Sequence, residues 1–395
     1  MFVYLDNSAT TRQYDEVTEL MIRYMREEFG NPSSLYRPGI NAEKAVKTAR
    51  RMLAGIFSCG EEEVYFTSGG TEGDNTAIFG AAEAGKRRGN KIITTAVEHP
   101  AVLEAAMRLA EAGFEIVTVP VLHDGRLDLD FLRQAIDQKT VLITVMQVNN
   151  ENGMIFPISE IAAIKEQYNK VHGTDILLHT DSVQAFGKMR VMKPGVDLLS
   201  VSAHKIHGPK GIGALYRKKG KNIRPYLVGG GQERNFRSGT ENVPAIVGFG
   251  KAAEIAYSRL DARLSAIAQA RNYLLAGIET EISDIQVNSV RTCSVSGEEG
   301  LCCPSVLNVS FLGTRGEVIL HTLEQSGIYV STGSACSSHK KGQSHVLAAM
   351  GLAEKEIEGA IRFSFSEENT ISEMDFVLAR LKEAVTRFRR LGSFR

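Results

Sequence analysis

The chain has no net charge. Its 46 lysines and arginines are matched by 46 aspartates and glutamates across 395 residues. With no excess of either sign there is no general electrostatic reason to bind nucleic acid or an anionic membrane, and no direct nucleic-acid binding is expected. No run of 18 apolar residues occurs, so no transmembrane helix is expected. Cysteine is scarce. Five in so long a chain argue against a disulfide framework and suit a reducing cytoplasm, the expected location. The opening MFVYLDNSATT lacks a basic stretch followed by an apolar one and does not read as a signal peptide. Internal repeats and low-complexity tracts are absent as well.

Glycine, in contrast, is abundant: 37 residues, many in short polar motifs where backbone must approach something closely. Hydrophobic residues make up 43%, enough for a sizeable core, and the length suits two domains or one large body with an appendage. Between about residues 40 and 220, short β-rich runs (EVYFTSGG, KIITTAV, FEIVTVP, VLITVMQV, DILLHTD, VDLLSVSAH, GIGALYR) alternate with helical patterns such as 101–112, 128–138 and 158–171. This alternation predicts an α/β fold with a mainly parallel sheet covered by helices on both faces. Apolar positions from Ile246 to Leu274 keep helical spacing and predict one long helix from Pro244 to about Ile282. The remainder reads as a smaller α+β domain. The expected division is a large domain over 13–258 and a small one formed by 1–12 and 259–395.

Ligands in such sheets sit beyond the carboxyl ends of the strands. Several polar motifs fall there: Ser68 to Thr71, Glu98-His99, Asn149-Asn150, Asp181, and Ser202 to Lys205. Lys205 follows an apolar strand and sits among histidines and glycines, an odd place for a solvated lysine. A buried lysine has a lowered pKa and becomes a nucleophile for carbonyls, the chemistry of Schiff-base formation with pyridoxal 5'-phosphate. That cofactor wants an acidic partner for its ring nitrogen. Asp181 in HTDSVQAFGK would serve, although a helix cap accounts for it equally well. Gln184 could bond the ring's phenolic oxygen. Gly70 and Thr71 in FTSGGTEGDN open a helix and could hold a phosphate. His99 could stack on a ring and move protons. Arg234, Arg237, Ser238, Gly239 and Thr240 form a loop suited to gripping a phosphate or carboxylate, and Arg362 within the apolar AIRFSFS calls for a partner such as a substrate carboxylate.

Taken together, LDNSATT, GNPSS, FTSGGTEGDN, EHPAV, VNNENG, HTDSVQAFGK, SAHKIHGPKGIGALY, GGGQERNFRSGTENVP, STGSACSS and IRFSF run in order from end to end. The chain resembles the cysteine desulfurases of the NifS/IscS type, fold-type I pyridoxal-phosphate enzymes of the class V aminotransferase group. The resemblance implies catalytic roles for Lys205, His99 and Cys336. It implies a cofactor bound by Gly70, Thr71, His99, Asn150, Asp181, Gln184, Ser202, His204, Lys205 and Thr240, the last reaching over from the partner subunit of a homodimer. Asn150 and Arg362 would hold the substrate carboxylate. L-cysteine would become L-alanine while its sulfur passes to Cys336 as a persulfide, for delivery to an iron–sulfur scaffold or a tRNA-thiolation enzyme. The motifs depart from the family at Gly70 and Gly73, often alanine and serine, and at DSVQ, often DATQ.

STGSACSSHKKGQSH, residues 331–345, places Cys336 among small residues. The expectation is a loop that carries the thiol first to the substrate and then to a partner, with Gly333 and Gly342 permitting reorientation. His339, Lys340 and Lys341 would either favour the thiolate or merely solvate the loop. A PLP enzyme acting on selenocysteine, and a docking platform whose catalysis has decayed, remain the alternatives. Cys302-Cys303, with Cys293 nearby, lacks the second pair that a metal site needs and reads as structural.

Overall fold

The computed structural model describes residues 1–191, 194–332 and 343–392. The strands in chain order are β1 (Val3–Tyr4), β2 (Val64–Thr67), β3 (Lys91–Thr95), β4 (Glu115–Val119), β5 (Thr140–Thr144), β6 (Leu177–Asp181), β7 (Leu198–Ser202), β8 (Gly213–Arg217), β9 (Ile285–Val287), β10 (Val306–Phe311), β11 (Ile328–Tyr329) and β12 (Ala360–Ser364). Seven of them form one sheet in the order β2-β8-β7-β6-β5-β3-β4. β8 runs antiparallel to both of its neighbours, and the other pairs are parallel.

The strands β3, β5, β6 and β7 are buried at every residue, as a sheet covered on both faces requires. Period-two alternation sorts their side chains. Ile93, Ile143, Leu178 and Leu199 pack with the helices Arg37–Phe57, Ile158–His172 and Val243–Ser258. Ile92, Leu142, Leu177 and Leu198 pack with Gly70–Gly85 and Pro100–Glu111. Each of these four strands ends in a buried polar residue, Thr95, Thr144, Asp181 or Ser202.

A second core gathers Leu274, Ile278, Leu307, Val309, Ile361, Phe363 and Leu381 around the antiparallel sheet β12-β10-β9. Val3 and Leu5 belong to this core, and β1 pairs with β11, so the first residues pack against the last third of the chain.

The long helix expected from Pro244 is two helices, Val243–Ser258 and Leu260–Glu281, broken at Arg259. Arg263 explains the break. Its Nη1 donates to the carbonyls of Ala256 (3.0 Å) and Gly187 (2.9 Å), and its Nε donates to Glu367 at 2.8 Å. The guanidinium thus satisfies the end of the first helix and ties it to two distant segments. Apolar spacing continues through the break and conceals it in the sequence.

Candidate active site

β2 ends at Thr67, and the chain turns through Ser68 and Gly69 into the helix Gly70–Gly85. Gly69 has φ 156° and ψ −173°, a conformation open essentially to glycine alone. The crowding is equally specific. A Cβ on Gly213 would lie 2.8 Å from Gly69 Cα, and one on Gly70 would lie 2.6 Å from Val183 Cγ2. The first N–H groups of a helix have no intrahelical acceptor. Here they open on a cavity of about 410 Å³ lined by Ala9, Thr10, Gly70, Thr71, Ser202 and His204, among others.

Lys205 lies in the turn between the antiparallel β7 and β8, closed by the Ala203 N–H bond to Ile212 O. Its Nζ donates to Ser8 O (2.5 Å) and Ala9 O (2.7 Å). Asp181 ends β6, and its Oδ1 accepts the Val183 N–H at 2.9 Å. Burial pushes the Asp181 carboxyl above its ordinary range, while His99, the Val183 N–H and Lys205 pull it back. His99 is the N-cap of Pro100–Glu111, its Nδ1 accepting the Ala101 N–H at 3.1 Å. Burial lowers its pKa; Asp181 opposes this, and Lys205 and His345 reinforce it. The ring is therefore neutral at pH 7, and the occupied Nδ1 leaves its proton on Nε2.

Beneath these groups lies a floor of buried polar side chains. Glu98 accepts the Met146 N–H at 3.0 Å and the Thr95 hydroxyl at 2.7 Å, and burial raises its pKa to about 8. His179 is held neutral by burial, at about 3. It contacts the hydroxyls of Thr144 (2.8 Å) and Ser200 (3.0 Å), and Asp74 Oδ1 approaches it at 3.5 Å. His204 contacts the Thr10 hydroxyl at 3.2 Å, and burial, then Lys205, lowers its pKa to about 4.

Gln184 is oriented by a residue the sequence reading did not single out. Lys188, buried, donates to Gln184 Oε1 at 3.1 Å, and Gln184 Nε2 donates to Ser8 O at 2.9 Å. An ammonium group only donates, so Lys188 fixes which end of the amide is the acceptor. Ser8 is the shared anchor of Lys205 and Gln184. Its only sequence signal is its place in LDNSATT.

Arg362, on β12, already has a partner within the chain. Its Nη2 donates to Asp6 at 2.7 Å and its Nη1 to Asn150 O at 3.1 Å, while its buried Nε has no hydrogen-bond partner among the described residues. Asn149 serves the turn rather than the cavity. It accepts the N–H groups of Glu151 and Asn152 and donates to Val97 O. In the basic loop, Arg237 donates to Glu72 (2.8 and 3.1 Å) and Arg234 to Glu61 O (2.9 Å), so the carboxylate that Arg237 grips is internal. Thr240 is exposed and is not among the residues lining the cavity.

Cys336, with Gly333, His339, Lys340, Lys341 and Gly342, lies outside the described residues. The described flanks of that segment are both tied to the site. Ser331 exchanges backbone hydrogen bonds with Arg362 at 3.1 and 2.7 Å. Ser344 donates to Glu151, and His345 Nε2 lies 2.9 Å from Glu98 O.

A family model described as "Aminotransferase class-V" matches residues 3–377. The "Cysteine desulfurase IscS" of Dictyoglomus turgidum is 42% identical, covering all of this chain and 97% of its own. That of Methanosarcina thermophila is 43% identical, covering 99% and 93%. A solved structure titled "NIFS-LIKE PROTEIN" superposes with a TM-score of 0.89 at 38% identity, over 98% of this chain and 100% of the other. The chain belongs to the class-V aminotransferases and, within them, to the NifS/IscS group of cysteine desulfurases. Enzymes of this group are generally pyridoxal-phosphate dependent, and their reaction takes L-cysteine as substrate and needs an acceptor for its sulfur.

Proposed function

We propose that this chain binds pyridoxal 5'-phosphate and converts L-cysteine to L-alanine, passing the sulfur to Cys336. The observation that carries the reading is the convergence of Lys205, Asp181 and His99 beside a cradle lined by Gly69, Gly70 and Gly211 at a helix N-terminus. The site's chemistry fits the cofactor. Helix N–H groups suit a phosphate, and a buried carboxylate suits a cationic ring nitrogen. On a domain division at 13–258 against 1–12 with 259–395, the cradle draws Gly70, Thr71, Ser202 and His204 from the larger unit and Ala9 and Thr10 from the smaller, which also carries Arg362.

In this reading Gly70, Thr71, Ser202 and His204 hold the phosphate, helped by Thr240 of a second copy. Pyridoxal phosphate, when bound, supplies an aldehyde for amines and a ring that takes up electrons released at the substrate Cα. Asp181 keeps the ring nitrogen protonated, and Gln184 donates to the phenolic oxygen. Lys205 Nζ would hold the cofactor in the resting enzyme and would take the Cα proton during turnover. His99 would lie against the cofactor and would give or take a proton at Nε2. Asn150 and Arg362 hold the substrate carboxylate, with the unpartnered Nε adding a donor. The Cys336 thiolate attacks the substrate sulfur: the S–S bond forms, the Cβ–S bond breaks, and its electron pair passes to carbon. The persulfide then goes to an acceptor protein, an iron–sulfur scaffold or a tRNA-thiolation enzyme, in the cytoplasm.

Single-turnover labelling tests this. Purified protein is incubated with L-cysteine without reductant, alanine is quantified, and added sulfur is located by peptide mass spectrometry. One alanine per site with a single extra sulfur on Cys336 is expected. Alanine with sulfur elsewhere removes Cys336 from the mechanism. No alanine from yellow, cofactor-loaded protein overturns the substrate.

A further inference from the structure

Two of the cysteines outside the catalytic reading are neighbours across a backbone bridge. Cys302 is fully buried and Cys293 partly exposed, and both are free thiols. Their backbones are paired. Cys302 donates its N–H to Thr292 O at 3.2 Å, and its carbonyl accepts the Ser294 N–H at 2.9 Å, so the two residues form a parallel bridge. Directly paired residues of neighbouring strands lie about 4.8 Å apart and present their side chains on the same face. A disulfide needs Cα atoms about 4.4–6.8 Å apart. Spacing and facing are therefore already met, with only eight residues between the two cysteines in the sequence.

A second observation concerns the neighbouring charge. Arg271 of the helix Leu260–Glu281 is completely buried. It donates to the carbonyls of Val290, Arg291 and Val306 and to Asn272 Oδ1, with no carboxylate among these acceptors. Cys293 Sγ lies 3.7 Å from the same Asn272 Oδ1. Burial raises the Cys302 thiol to about 12, and Arg271 is the first group to oppose it. A cation beside a thiol favours the thiolate needed for exchange. In the reduced protein Cys302 faces the turn that carries Asn150, its Sγ donating to Asn152 O at 3.4 Å.

We propose that Cys293 and Cys302 are a reversible disulfide site for thiol–disulfide exchange with small thiol disulfides such as oxidised glutathione. Cys293, the accessible thiol, attacks the small disulfide and releases one thiol. Cys302 then loses its proton, attacks the Cys293 sulfur and releases the second. Two protein thiols are oxidised, one small disulfide is reduced to two thiols, and the two protons end on those thiols. The site stands independently of the catalytic reading.

The test is oxidation of the full-length protein in glutathione buffers, followed by acid quenching, non-reducing digestion and mass spectrometry. A peptide pair joined through Cys293 and Cys302, two hydrogens lighter and released by dithiothreitol, is expected. Cys293→Ser removes it. Cys302→Ala, a small change at a buried site, makes the Cys293–glutathione adduct accumulate by at least about 10-fold, because the resolving thiol is gone. Three results would overturn the proposal: a lasting glutathione adduct on Cys293 in the wild-type chain, a link from Cys302 to any other cysteine, or both thiols still reduced under buffers that oxidise Cys59.

Discussion

Two cavities of this protein make an instructive pair. The larger, about 770 Å³, is lined by His123, Asp124, Arg126, Asn288, Arg291 and Glu356 among others. The smaller, about 410 Å³, is the glycine cradle. Charge in the larger cavity is exposed and paired locally: Arg126 with Asp124 at 2.6 Å, and Arg291 with Glu279 at 2.9 Å. Solvent screens such pairs, which are worth about 0–1 kcal/mol. Around the smaller one, Asp181, His99, His204 and Glu98 are largely buried, and each has its proton affinity moved by burial. The proposed chemistry therefore falls on the smaller cavity, where desolvated groups are held at strand ends, and not on the larger.

The sharpest way to break this contrast is at Lys205. Lys205→Ala should cut alanine formation by roughly 10³-fold or more, by loss of the base at Cα. It should also abolish the visible band of the covalently held cofactor. A variant that kept the band and turned over normally would place the chemistry elsewhere.

The next effect is on stability. Glu98 titrates near 8 in the folded protein against 4.5 when solvated. Between those values the folded state keeps a proton that the unfolded chain has released, so stability falls as pH rises through the window. The slope reaches at most about 1.4 kcal/mol per pH unit. In Glu98→Gln that part of the slope should vanish, which denaturant titrations at several pH values would detect. An unchanged slope would mean that Glu98 is not desolvated as described.

A smaller change is expected at Lys188. Its ammonium holds the acceptor end of Gln184, and burial lowers its pKa to about 8. Lys188→Met frees the amide to rotate. Activity should drop roughly 10-fold, the scale of one lost hydrogen bond to a charged group. The pH at which the cofactor band changes colour should also shift, a readout that a purely structural role would leave unmoved. The least effect belongs to the larger cavity. Arg126→Ala should leave turnover within about 2-fold and stability within about 0.5 kcal/mol.

Much of this was legible in the residues. Strand runs such as VLITVMQV and DILLHTD announce buried strands because short, β-rich apolar stretches between helical patterns suit a sheet covered on both faces. Ordered motifs placed Lys205, Asp181, His99 and Gly70 at strand ends, since a polar residue after an apolar run has nowhere else to go. Contacts between residues far apart in the chain were not legible. Nothing local marks the reversal of β8, or the break at Arg259 enforced by Arg263 reaching Gly187 and Glu367.

The same division holds in the site. The sequence determined which side chains could do chemistry, because type and order are written in it. Tertiary structure alone decided that Asp6 pairs with Arg362, that Arg237 is held by Glu72, and that Ser8 joins Lys205 to Gln184. It also decided that Cys293 and Cys302 meet across a bridge. The physical reason is that a hydrogen bond or ion pair depends on distance in space. Distance between residues hundreds of positions apart is fixed only when the whole core packs.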